Sequence, residues 1–314
     1  MRPTSWEARN ARSASRPSLR CGRPVRMRLM QQSTADRHTS KRRGRGYSME
    51  LTLSGKNAIV TGGGSNIGRS IALTLAEEGA NIALFDIDEV AALGVIQEAK
   101  EAGAVGNLAA FATDLTDRQQ VEASVGRVVE KFEQIDILIN CAGGDQAGPF
   151  LDQPPELHRK LVDLNYMSVV HCMHTVLPHM VERGYGRVVS LASDAGRMGE
   201  YHEAVYSGAK AGVIALTKSL AREVGRHDVT LNVVCPGLTI PEDPEAVPET
   251  SMLWAGDAID FWTPERRASA SRRYALRRLG TAQDVANVVV FLASDRCNFV
   301  TGQTWSVSGG YTMM

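Results

Sequence analysis

Tyr206 and Lys210 are the residues of this 314-residue chain whose types and spacing best suit catalysis. They are four positions apart, so on a helix they share one face. A free phenol, with a pKa of about 10, is a useful base near neutral pH only when positive charge stabilises the phenolate, and a lysine can supply that charge. Ser193, upstream of the pair, adds a hydrogen-bond donor for a substrate oxygen that gains negative charge. Together they predict acid–base chemistry at an alcohol or carbonyl, although each alone could be a surface tyrosine, a solvated lysine or a capping serine.

A glycine-rich turn follows the first apolar run of the chain and leads directly into a helical stretch. Glycines let the backbone approach a pyrophosphate, whose charge the N-terminus of the following helix then stabilises. The alternative is a tight turn between strand and helix that binds no ligand. The cofactor contacts predicted in this turn are Gly62, Ser65, Asn66, Ile67 and Gly68.

Asp86 ends the second apolar run and favours one dinucleotide over another. A carboxylate at that place can accept hydrogen bonds from both ribose hydroxyls of NAD, whereas it would repel the 2′-phosphate of NADP. No basic residue precedes Asn66 or follows Asp86 closely. The sequence therefore predicts NAD. Asp86 could instead cap the next helix, but Asp88 is available for that role.

Short apolar runs and amphipathic helical stretches must position these residues, and the two kinds alternate from Lys56 onward. Strict alternation implies right-handed βαβ crossovers and a parallel sheet covered on both faces, which is a Rossmann-type doubly wound α/β fold. Ligands of such sheets bind at the carboxyl ends of the strands. We expect one domain with seven strands, at 57–61, 81–86, 108–112, 135–140, 187–191, 230–234 and 304–307. Four of the intervening helices are expected at 67–78, 89–102, 117–132 and 282–293.

The order of these motifs resembles the short-chain dehydrogenase/reductase family over about residues 50–314. Asn66 departs from the family pattern because it occupies the middle glycine of the turn, yet asparagine tolerates a positive φ better than other non-glycine residues. Thr239 departs as well, because it comes earlier than the family's usual threonine. The matching elements are Thr61 to Gly68, Asp114-Leu115, Asn140-Cys141-Ala142-Gly143, Asn165, Ser193, Tyr206 with Lys210, and Asn232 to Gly237.

The resemblance implies hydride transfer between NAD and a secondary alcohol or ketone, with four catalytic residues. Tyr206 is the acid or base, Lys210 supports it and binds the nicotinamide ribose, and Ser193 hydrogen-bonds the substrate oxygen. Asn165 holds a water that links Lys210 to solvent. Asp114 would receive the adenine amino group, with helix capping as its alternative, and Asn140 would tie the central sheet together. The further cofactor contacts implied are Leu115, Ala142, Gly143, Pro236, Gly237 and Thr239.

Substrate choice is expected to reside in residues 144–150, in residues 194–203 and in a lid at about 238–278. The lid contains Trp254, Phe261 and Trp262, which could contact substrate or simply pack the lid onto the body. His202 could line the substrate mouth or be an exposed loop residue. The motifs look most like the branch with 2-hydroxycyclohexanecarboxyl-CoA dehydrogenase and the 3-oxoacyl reductases, so a cyclic or β-hydroxyacyl substrate is expected, including the CoA thioester form. Six arginines could meet CoA phosphates: Arg266, Arg267, Arg272, Arg273, Arg277 and Arg278.

Two other functions stay open at this stage. The substrate could be a free cyclic or aromatic alcohol. The fold could also bind a dinucleotide without catalysis, as a sensor or scaffold, although such a protein would not need Ser193, Tyr206 and Lys210 together.

The net charge of zero conceals a division between two segments. Residues 1–47 carry twelve arginines and one lysine against two acidic residues, so the remainder of the chain is strongly acidic. The first segment is too polar to form a core and is expected to be disordered. We expect residues 1–48 to reflect a start assigned too early, with Met49 as the true start. A transit peptide and a polyanion-binding arm are the alternatives. Residues 49–314 are then the NAD-binding catalytic domain.

The remaining composition excludes several classes of protein. With 43% hydrophobic and 22% charged residues the chain is typical of globular proteins, and it has no apolar run long enough to span a membrane. Its five cysteines are scattered, which argues against a zinc site and against a disulfide scaffold, so Cys141 is expected to be buried and inert. We expect a cytoplasmic enzyme without metal, membrane or nucleic-acid partners, assembled as a homotetramer or homodimer.

Overall fold

The computed structural model describes residues 50–244 and 247–314. The arginine-rich segment 1–48 and Met49 lie outside the described residues. Seven parallel strands form one sheet in the order β3-β2-β1-β4-β5-β6-β7. They are β1 (Asn57–Thr61), β2 (Asn81–Asp86), β3 (Leu108–Ala112), β4 (Ile137–Asn140), β5 (Gly186–Leu191), β6 (Val229–Pro236) and β7 (Thr304–Val307).

The central strands are buried along their whole length because helices cover both faces of the sheet. Every residue of β1, β4, β5 and β6 is buried, which is typical of a parallel sheet packed on two sides. The register pairs Ile59 of β1 with Ala83 on one side and with Leu138 on the other. The predicted doubly wound fold is therefore confirmed.

Nine α-helices occur among the described residues. Asp88, Asp117 and Thr281 cap the second, third and ninth of them, each accepting a hydrogen bond from a backbone N–H of the first turn. The helices are α1 (Asn66–Glu77), α2 (Glu89–Glu101), α3 (Arg118–Phe132), α4 (Pro155–Val162), α5 (Ser168–Arg183), α6 (Ala195–Met198), α7 (Ala204–Val224), α8 (Pro264–Ser271) and α9 (Ala282–Ala293).

The helices form two layers, each with its own apolar core. Buried side chains of α1, α2 and α9, such as Leu75 and Val289, pack on one face of the sheet. Those of α3, α5 and α7, such as Val125, Met173 and Val213, pack on the other face. Each fully buried aliphatic side chain of this size contributes about 1.5–3 kcal/mol. The two cores hold the strands rigid and align their carboxyl ends along one edge.

The strand order reverses between β1 and β4, which opens a crevice at the carboxyl ends of these two strands. A π-helical turn, Asp163–Met167, joins α4 to α5 near this crevice, and π turns within helices often occur at functional sites. The fourth strand begins two residues later than predicted. Its predicted start includes Asp136, whose carboxylate accepts the Asn57 N–H at 2.8 Å and binds Arg183 at 2.9 Å.

None of the helices among the described residues has both the length and the apolarity needed to cross a membrane. No group of three or more histidine, cysteine or acidic side chains in that part of the chain could hold a metal ion.

Candidate active site

The glycine-rich turn between β1 and α1 is shaped by very close backbone contacts. Gly62 has φ 63°, and a Cβ on it would come within 2.8 Å of the Ala142 backbone. A Cβ on Gly68 would lie 1.9 Å from the Gly62 carbonyl oxygen, so a side chain is impossible there without moving the turn. Asn66 has φ 41°, the left-handed conformation expected for the residue that replaces a glycine.

The start of α1 keeps hydrogen-bonding groups available for an anion. Ser65 is the N-cap residue, yet its side chain makes no capping hydrogen bond. The first turn of α1 also lacks an acidic residue, so no side-chain charge offsets the positive end of the helix dipole. Helix N-termini of this kind bind phosphate groups. The turn and the start of α1 therefore form a cradle that fits a pyrophosphate. Its residues are Gly62, Ser65, Asn66, Ile67 and Gly68.

Asp86 lies at the end of β2 with its carboxylate directed toward this turn. One oxygen accepts the Gly64 N–H at 2.8 Å and the other accepts the Asp88 N–H at 3.0 Å. Asp88 caps α2 through the Ala91 N–H, so Asp86 is not needed as a cap. Burial raises the pKa of Asp86, and the hydrogen bonds from Asp88 and Gly64 offset part of that rise.

The segment after β4 is bound to the glycine-rich turn by one threonine. The Thr61 hydroxyl accepts the backbone N–H of Cys141 at 2.9 Å and that of Ala142 at 3.1 Å. Asn140 donates to the Ser190 hydroxyl at 3.1 Å and so connects β4 to β5, while its side-chain oxygen has no partner. Burial raises the pKa of the Cys141 thiol to about 12, which makes this thiol a poor nucleophile.

Asn165 and Lys210 meet beside Gly143 at the centre of the crevice. Asn165, in the π-helical turn, is completely buried and bonds both backbone groups of Gly144, at 3.1 Å and 2.7 Å. Lys210 donates from Nζ to the Leu191 carbonyl oxygen at 3.0 Å. A Cβ on Gly143 would lie 2.7 Å from Asn165 Oδ1 and 2.9 Å from Lys210 Nζ. The missing side chain of Gly143 thus leaves both polar groups reachable from the exposed face of this loop.

Burial controls the protonation of Lys210. It lowers the pKa of the ammonium group to about 8, and the Cys141 and Cys235 thiols oppose this shift. At neutral pH most of the protein therefore carries a charged lysine whose side chain is only 3% exposed. A group with this pKa can also pass a proton in the physiological range.

Tyr206 lies one turn before Lys210 on α7 and interacts with Ser193. Lys210 Nζ is 5.7 Å from the centroid of the Tyr206 ring. The expectation that positive charge from Lys210 favours the phenolate stays a prediction. Burial raises the pKa of Tyr206, Glu203 raises it further, and the hydrogen bond with Ser193 only partly opposes them. The phenol is therefore firmly protonated when no other positive charge is near.

The loop after β6 closes the crevice from the other side. Thr239 is 5% exposed, and its hydroxyl donates to the Gly237 carbonyl at 3.2 Å. Its carbonyl accepts the Asn66 side-chain N–H at 3.3 Å, which links this loop to the glycine-rich turn. Pro236, Gly237 and Thr239 therefore lie beside the predicted cofactor cradle, although the Thr239 hydroxyl is already engaged.

Asp114 and Leu115 follow β3 at the far end of the same edge. Asp114 accepts the Thr116 N–H at 2.9 Å. Asp117 caps α3, so capping does not explain Asp114. Leu115 is buried, and its carbonyl oxygen is 3.1 Å from His171 Nδ1. Both residues can border an adenine site next to the cradle.

Two carboxyl groups near Tyr206 were missed by sequence reasoning. Asp145 is only 4% exposed, and neither of its carboxylate oxygens has a hydrogen-bond partner among the described residues. Burial raises its pKa to about 6, with a small opposing effect of the Gln146 N–H, which is too poorly placed to form a hydrogen bond. Burial also raises the pKa of Glu203, to about 7, and Asp145 adds to that rise. Only the packing of two loops, 144–150 and 194–203, could have revealed them.

An open pocket of about 440 Å³ lies next to these loops, and we call it the mouth pocket. Leu151 and Tyr201 are 92% and 80% exposed there, so the pocket offers apolar surface to solvent. His202 lines this pocket and stacks on Tyr201, and its role at a substrate mouth stays a prediction. The lining residues are Pro149, Phe150, Leu151, Asp152, Tyr201, His202 and Ala204.

The predicted lid segment is only partly helical in the described residues. Trp254 is buried, which agrees with a packing role, whereas Phe261 is 54% exposed. Met252 packs close to Gly144, because a Cβ on that glycine would lie 2.8 Å from the Met252 Cβ. Four of the six arginines proposed to meet phosphate are engaged locally. Arg266, Arg267 and Arg277 donate to backbone carbonyls, and Arg278 pairs with Asp284.

The carboxyl ends of the strands thus bring together three features: a glycine-rich turn whose shape fits a dinucleotide, a Ser–Tyr–Lys group with Asn165 behind it, and substrate loops next to the open mouth pocket. Such a site can exchange a proton with an alcohol or ketone placed between Ser193 and Tyr206.

Comparison with known proteins agrees with this chemistry. A family model described as enoyl-(acyl carrier protein) reductase matches residues 62–312. The 2,3-dihydroxy-2,3-dihydro-p-cumate dehydrogenase of Pseudomonas putida is 36% identical over 84% of this chain and 97% of its own length. The 3-oxoacyl-[acyl-carrier-protein] reductase of Staphylococcus aureus is 34% identical over 82% of this chain and 98% of its own.

A solved structure extends the similarity to three dimensions. A 7α-hydroxysteroid dehydrogenase, complexed with NADH and 7-oxoglycochenodeoxycholic acid, superposes with a TM-score of 0.74 at 33% identity. The match covers 83% of this chain and 96% of that structure.

Proposed function

The chain belongs to the short-chain dehydrogenase/reductase family, and we propose that it is an NAD-dependent enzyme that interconverts a secondary alcohol and a ketone. The observation that carries this proposal is the grouping of Ser193, Tyr206 and Lys210 beside the glycine-rich turn. A protein that only bound a dinucleotide would need the turn but not this group.

In alcohol oxidation, Tyr206 in its phenolate form takes the hydroxyl proton at its oxygen, while the substrate carbon gives up a hydride. A bound oxidised nicotinamide would supply the hydride acceptor and a positive charge that favours the phenolate. The Ser193 hydroxyl hydrogen-bonds the substrate oxygen and stabilises the negative charge that develops there. In ketone reduction the raised pKa of Tyr206 is an advantage, because the phenol must then act as an acid.

Lys210 and Asn165 form a route for the proton behind Tyr206. Lys210, whose pKa is about 8, can hand a proton onward at physiological pH. Asn165 holds the backbone of Gly144 and so keeps the loop after β4 open beside the lysine. A water near these two residues would connect them with solvent.

NAD is proposed in preference to NADP because of Asp86. Its half-buried carboxylate, fixed by the Gly64 and Asp88 amides, offers acceptors for ribose hydroxyls and repulsion toward a 2′-phosphate. Gly62, Ser65, Asn66, Ile67 and Gly68 would hold the pyrophosphate. Asp114 and Leu115 would border the adenine. The nicotinamide half of NAD would be bordered by Asn140, Ala142, Gly143, Pro236, Gly237 and Thr239.

The proposed substrate is a cyclic or β-hydroxyacyl secondary alcohol. Two of the similar proteins are named for ring substrates and one for an oxoacyl substrate, and the mouth pocket is apolar enough for either. A CoA thioester is the less well supported form of this substrate, because local contacts already occupy four of the arginines that would meet its phosphates. We also propose that residues 49–314 act as the catalytic domain of a homotetramer or homodimer, with 238–278 as its lid.

The test is a steady-state assay of NADH formation and consumption on ring alcohols, ring ketones and β-hydroxyacyl compounds, both free and as CoA esters. Turnover with NAD, much weaker turnover with NADP, and loss of turnover in Tyr206→Phe are expected. Asp86→Ser should narrow the preference for NAD over NADP about 100-fold or more, since one carboxylate charge and its hydrogen bonds are removed. Binding of NAD without turnover of any substrate would instead favour a sensor or scaffold.

A further inference from the structure

Asp145 is a buried carboxyl group that the mechanism does not use. It is 4% exposed, and both of its oxygens lack a hydrogen-bond partner among the described residues. Native proteins rarely leave a buried carboxylate unpaired, because the loss of hydration costs several kcal/mol unless a partner replaces the water. An exception at the edge of an active site therefore suggests that a ligand supplies the partner.

The position of Asp145 is fixed by its neighbours on both sides. Asn165 holds the preceding residue, Gly144, through two hydrogen bonds. Three residues further on, the Gly148 N–H donates to the His202 carbonyl at 2.9 Å and joins the two substrate loops. This connection brings Asp145 near Glu203. Both carboxyl groups act electrostatically on Tyr206, so both lie close to the catalytic phenol.

The charged residues around this pair are engaged elsewhere. Arg197 lies 3.8 Å from the carboxylate of Asp194, which also accepts hydrogen bonds from Ser306 and Thr312. Glu200 accepts the Tyr311 hydroxyl at 2.7 Å. None of the ion pairs found in the described part of the chain includes Asp145 or Glu203. The site thus presents two hydrogen-bond acceptors beside Tyr206 without a cation to neutralise them.

We propose that Asp145, assisted by Glu203, determines specificity by accepting a hydrogen bond from a second hydroxyl of the substrate, on the carbon next to the reacting alcohol. The inference rests on the proposed function and narrows its substrate class to vicinal diols with an apolar ring. The reacting hydroxyl lies between Ser193 and Tyr206, the second hydroxyl meets Asp145, and the ring extends toward the mouth pocket.

A hydroxyl suits the pair better than the other groups that could stand there. A ketone or thioester oxygen only accepts hydrogen bonds, so it would leave Asp145 unpaired and repelled. An ammonium group only donates. Because burial raises the pKa values of both carboxyl groups toward neutrality, each is partly protonated there and is suited to a neutral hydroxyl more than to a full positive charge.

The test compares cis-1,2-dihydroxytetralin with 1-hydroxytetralin, which differ by that one hydroxyl. The readout is the ratio of the two kcat/KM values with NAD. We expect the wild type to prefer the diol at least 100-fold, since a site built to bind a hydroxyl rejects an analogue that lacks it. Asp145→Ala should lower this ratio by about 10- to 100-fold, and Glu203→Gln by less. Glu156→Ala, which removes an exposed carboxylate from α4, should leave the ratio unchanged.

A binding experiment separates this inference from the proposed function. Calorimetry of both compounds with Tyr206→Phe in the presence of NAD needs no turnover. Selective binding of the diol that is lost on adding Asp145→Ala supports the inference even if the wild type oxidises neither compound. The proposed function is judged separately, because only a lack of turnover across the full panel of alcohols and ketones would overturn it. Equal kcat/KM for both compounds overturns the inference and leaves the proposed function intact. Two further outcomes would also overturn the inference. One is a preference of the wild type for 2-amino-1-hydroxytetralin over the diol, and the other is an unchanged ratio of the two kcat/KM values in a folded Asp145→Ala variant.

Discussion

The two sides of the crevice differ in how completely their polar groups are satisfied. On the cofactor side, Asp86 receives two backbone N–H groups and Thr61 receives two more, so the protein itself fixes the geometry. On the substrate side, the carboxylate oxygens of Asp145 have no hydrogen-bond partner among the described residues. Leu151, in the mouth pocket, exposes most of its apolar side chain.

This difference shows which parts of the site are built by the fold and which await a ligand. Internal hydrogen bonds and glycine contacts make the cofactor side rigid, and that rigidity preorganises a binding surface. The substrate side keeps unpaired acceptors at a cost in stability, which is common where binding requires them. Changes on the cofactor side should therefore reduce function, whereas some changes on the substrate side should stabilise the protein.

The largest expected effect is that of Lys210→Met, at the junction of the two sides. The variant removes the buried charge behind Tyr206 and the hydrogen bond to the Leu191 carbonyl. We expect kcat/KM to fall by about 10²- to 10⁴-fold, the range for loss of a proton-transfer group. Lys218→Met removes an exposed lysine from the same helix and should change kcat/KM less than about twofold. Equal effects of both variants in steady-state assays would show that the role of Lys210 is only structural.

Gly68→Ala tests the rigidity of the cofactor side with a single methyl group. The added Cβ would lie 1.9 Å from the Gly62 carbonyl oxygen, so the turn must move. Calorimetric titration should show NAD affinity lowered by about 100-fold or more, since the backbone amides no longer converge. The same change at Gly126, on the surface of α3 with no atom within 4 Å, should leave affinity intact and stabilise the fold by about 0.5–1 kcal/mol. If Gly68→Ala binds NAD normally, the cradle is not where the cofactor binds.

Asp145→Asn should stabilise the ligand-free protein in a pH-dependent way. Burial raises the pKa of Asp145 from 3.8 to about 6, so the folded state holds the proton more tightly than the unfolded state. The burial penalty is therefore absent below pH 3.8 and complete above pH 6. It amounts to about 3 kcal/mol at pH 8 and to about half of that at pH 5. Asparagine cannot ionise and avoids this penalty.

Urea unfolding at pH 5 and pH 8 measures this gain in the free energy of unfolding. The exposed Asp152→Asn is the matched control and should show no gain at either pH. A gain for Asp145→Asn that is the same at both pH values would mean that the carboxylate is not buried as described.

The smallest effect is expected at the end of the predicted lid. Arg278 pairs with Asp284 near the start of α9, with 2.8 Å between Arg278 Nη2 and Asp284 Oδ1, and both side chains are partly exposed. Arg278→Gln should lower the free energy of unfolding by less than about 1 kcal/mol, because solvent screens such pairs. The difference should shrink in 1 M salt, while kcat/KM stays within about twofold. A loss that is larger and independent of salt would assign Arg278 a role beyond this ion pair.

Most of the fold was predictable because its signals are local. Apolar runs gave β1, β2, β3 and β7 their observed bounds, and α9 followed from its periodicity and its capping residues. The Gly62 and Asn66 conformations were predictable too, because few residues tolerate positive φ.

What the sequence could not reveal depends on contacts between distant segments. The burial of Asp145 requires two loops to pack together and Met252 to lie over Gly144. The raised pKa of Tyr206 reflects first its burial and then the charges of Glu203 and Asp145, which lie on two different loops. Periodicity describes one element at a time, so it cannot indicate which charges from different loops meet.

The π-helical turn at Asp163–Met167 makes this part of the chain sensitive to length more than to composition. Its wider turn, closed by the Ser168 N–H on the Asp163 carbonyl, accommodates one residue more than an α-helical turn of the same rise. Inserting one more residue here would rotate α5 by about 100° relative to α4, since each helical residue turns the chain by that angle, whereas deleting one residue would close the wide turn to an α-helical one with little rotation. Insertion and deletion scanning should therefore find insertions tolerated less well than deletions at positions other than Asn165.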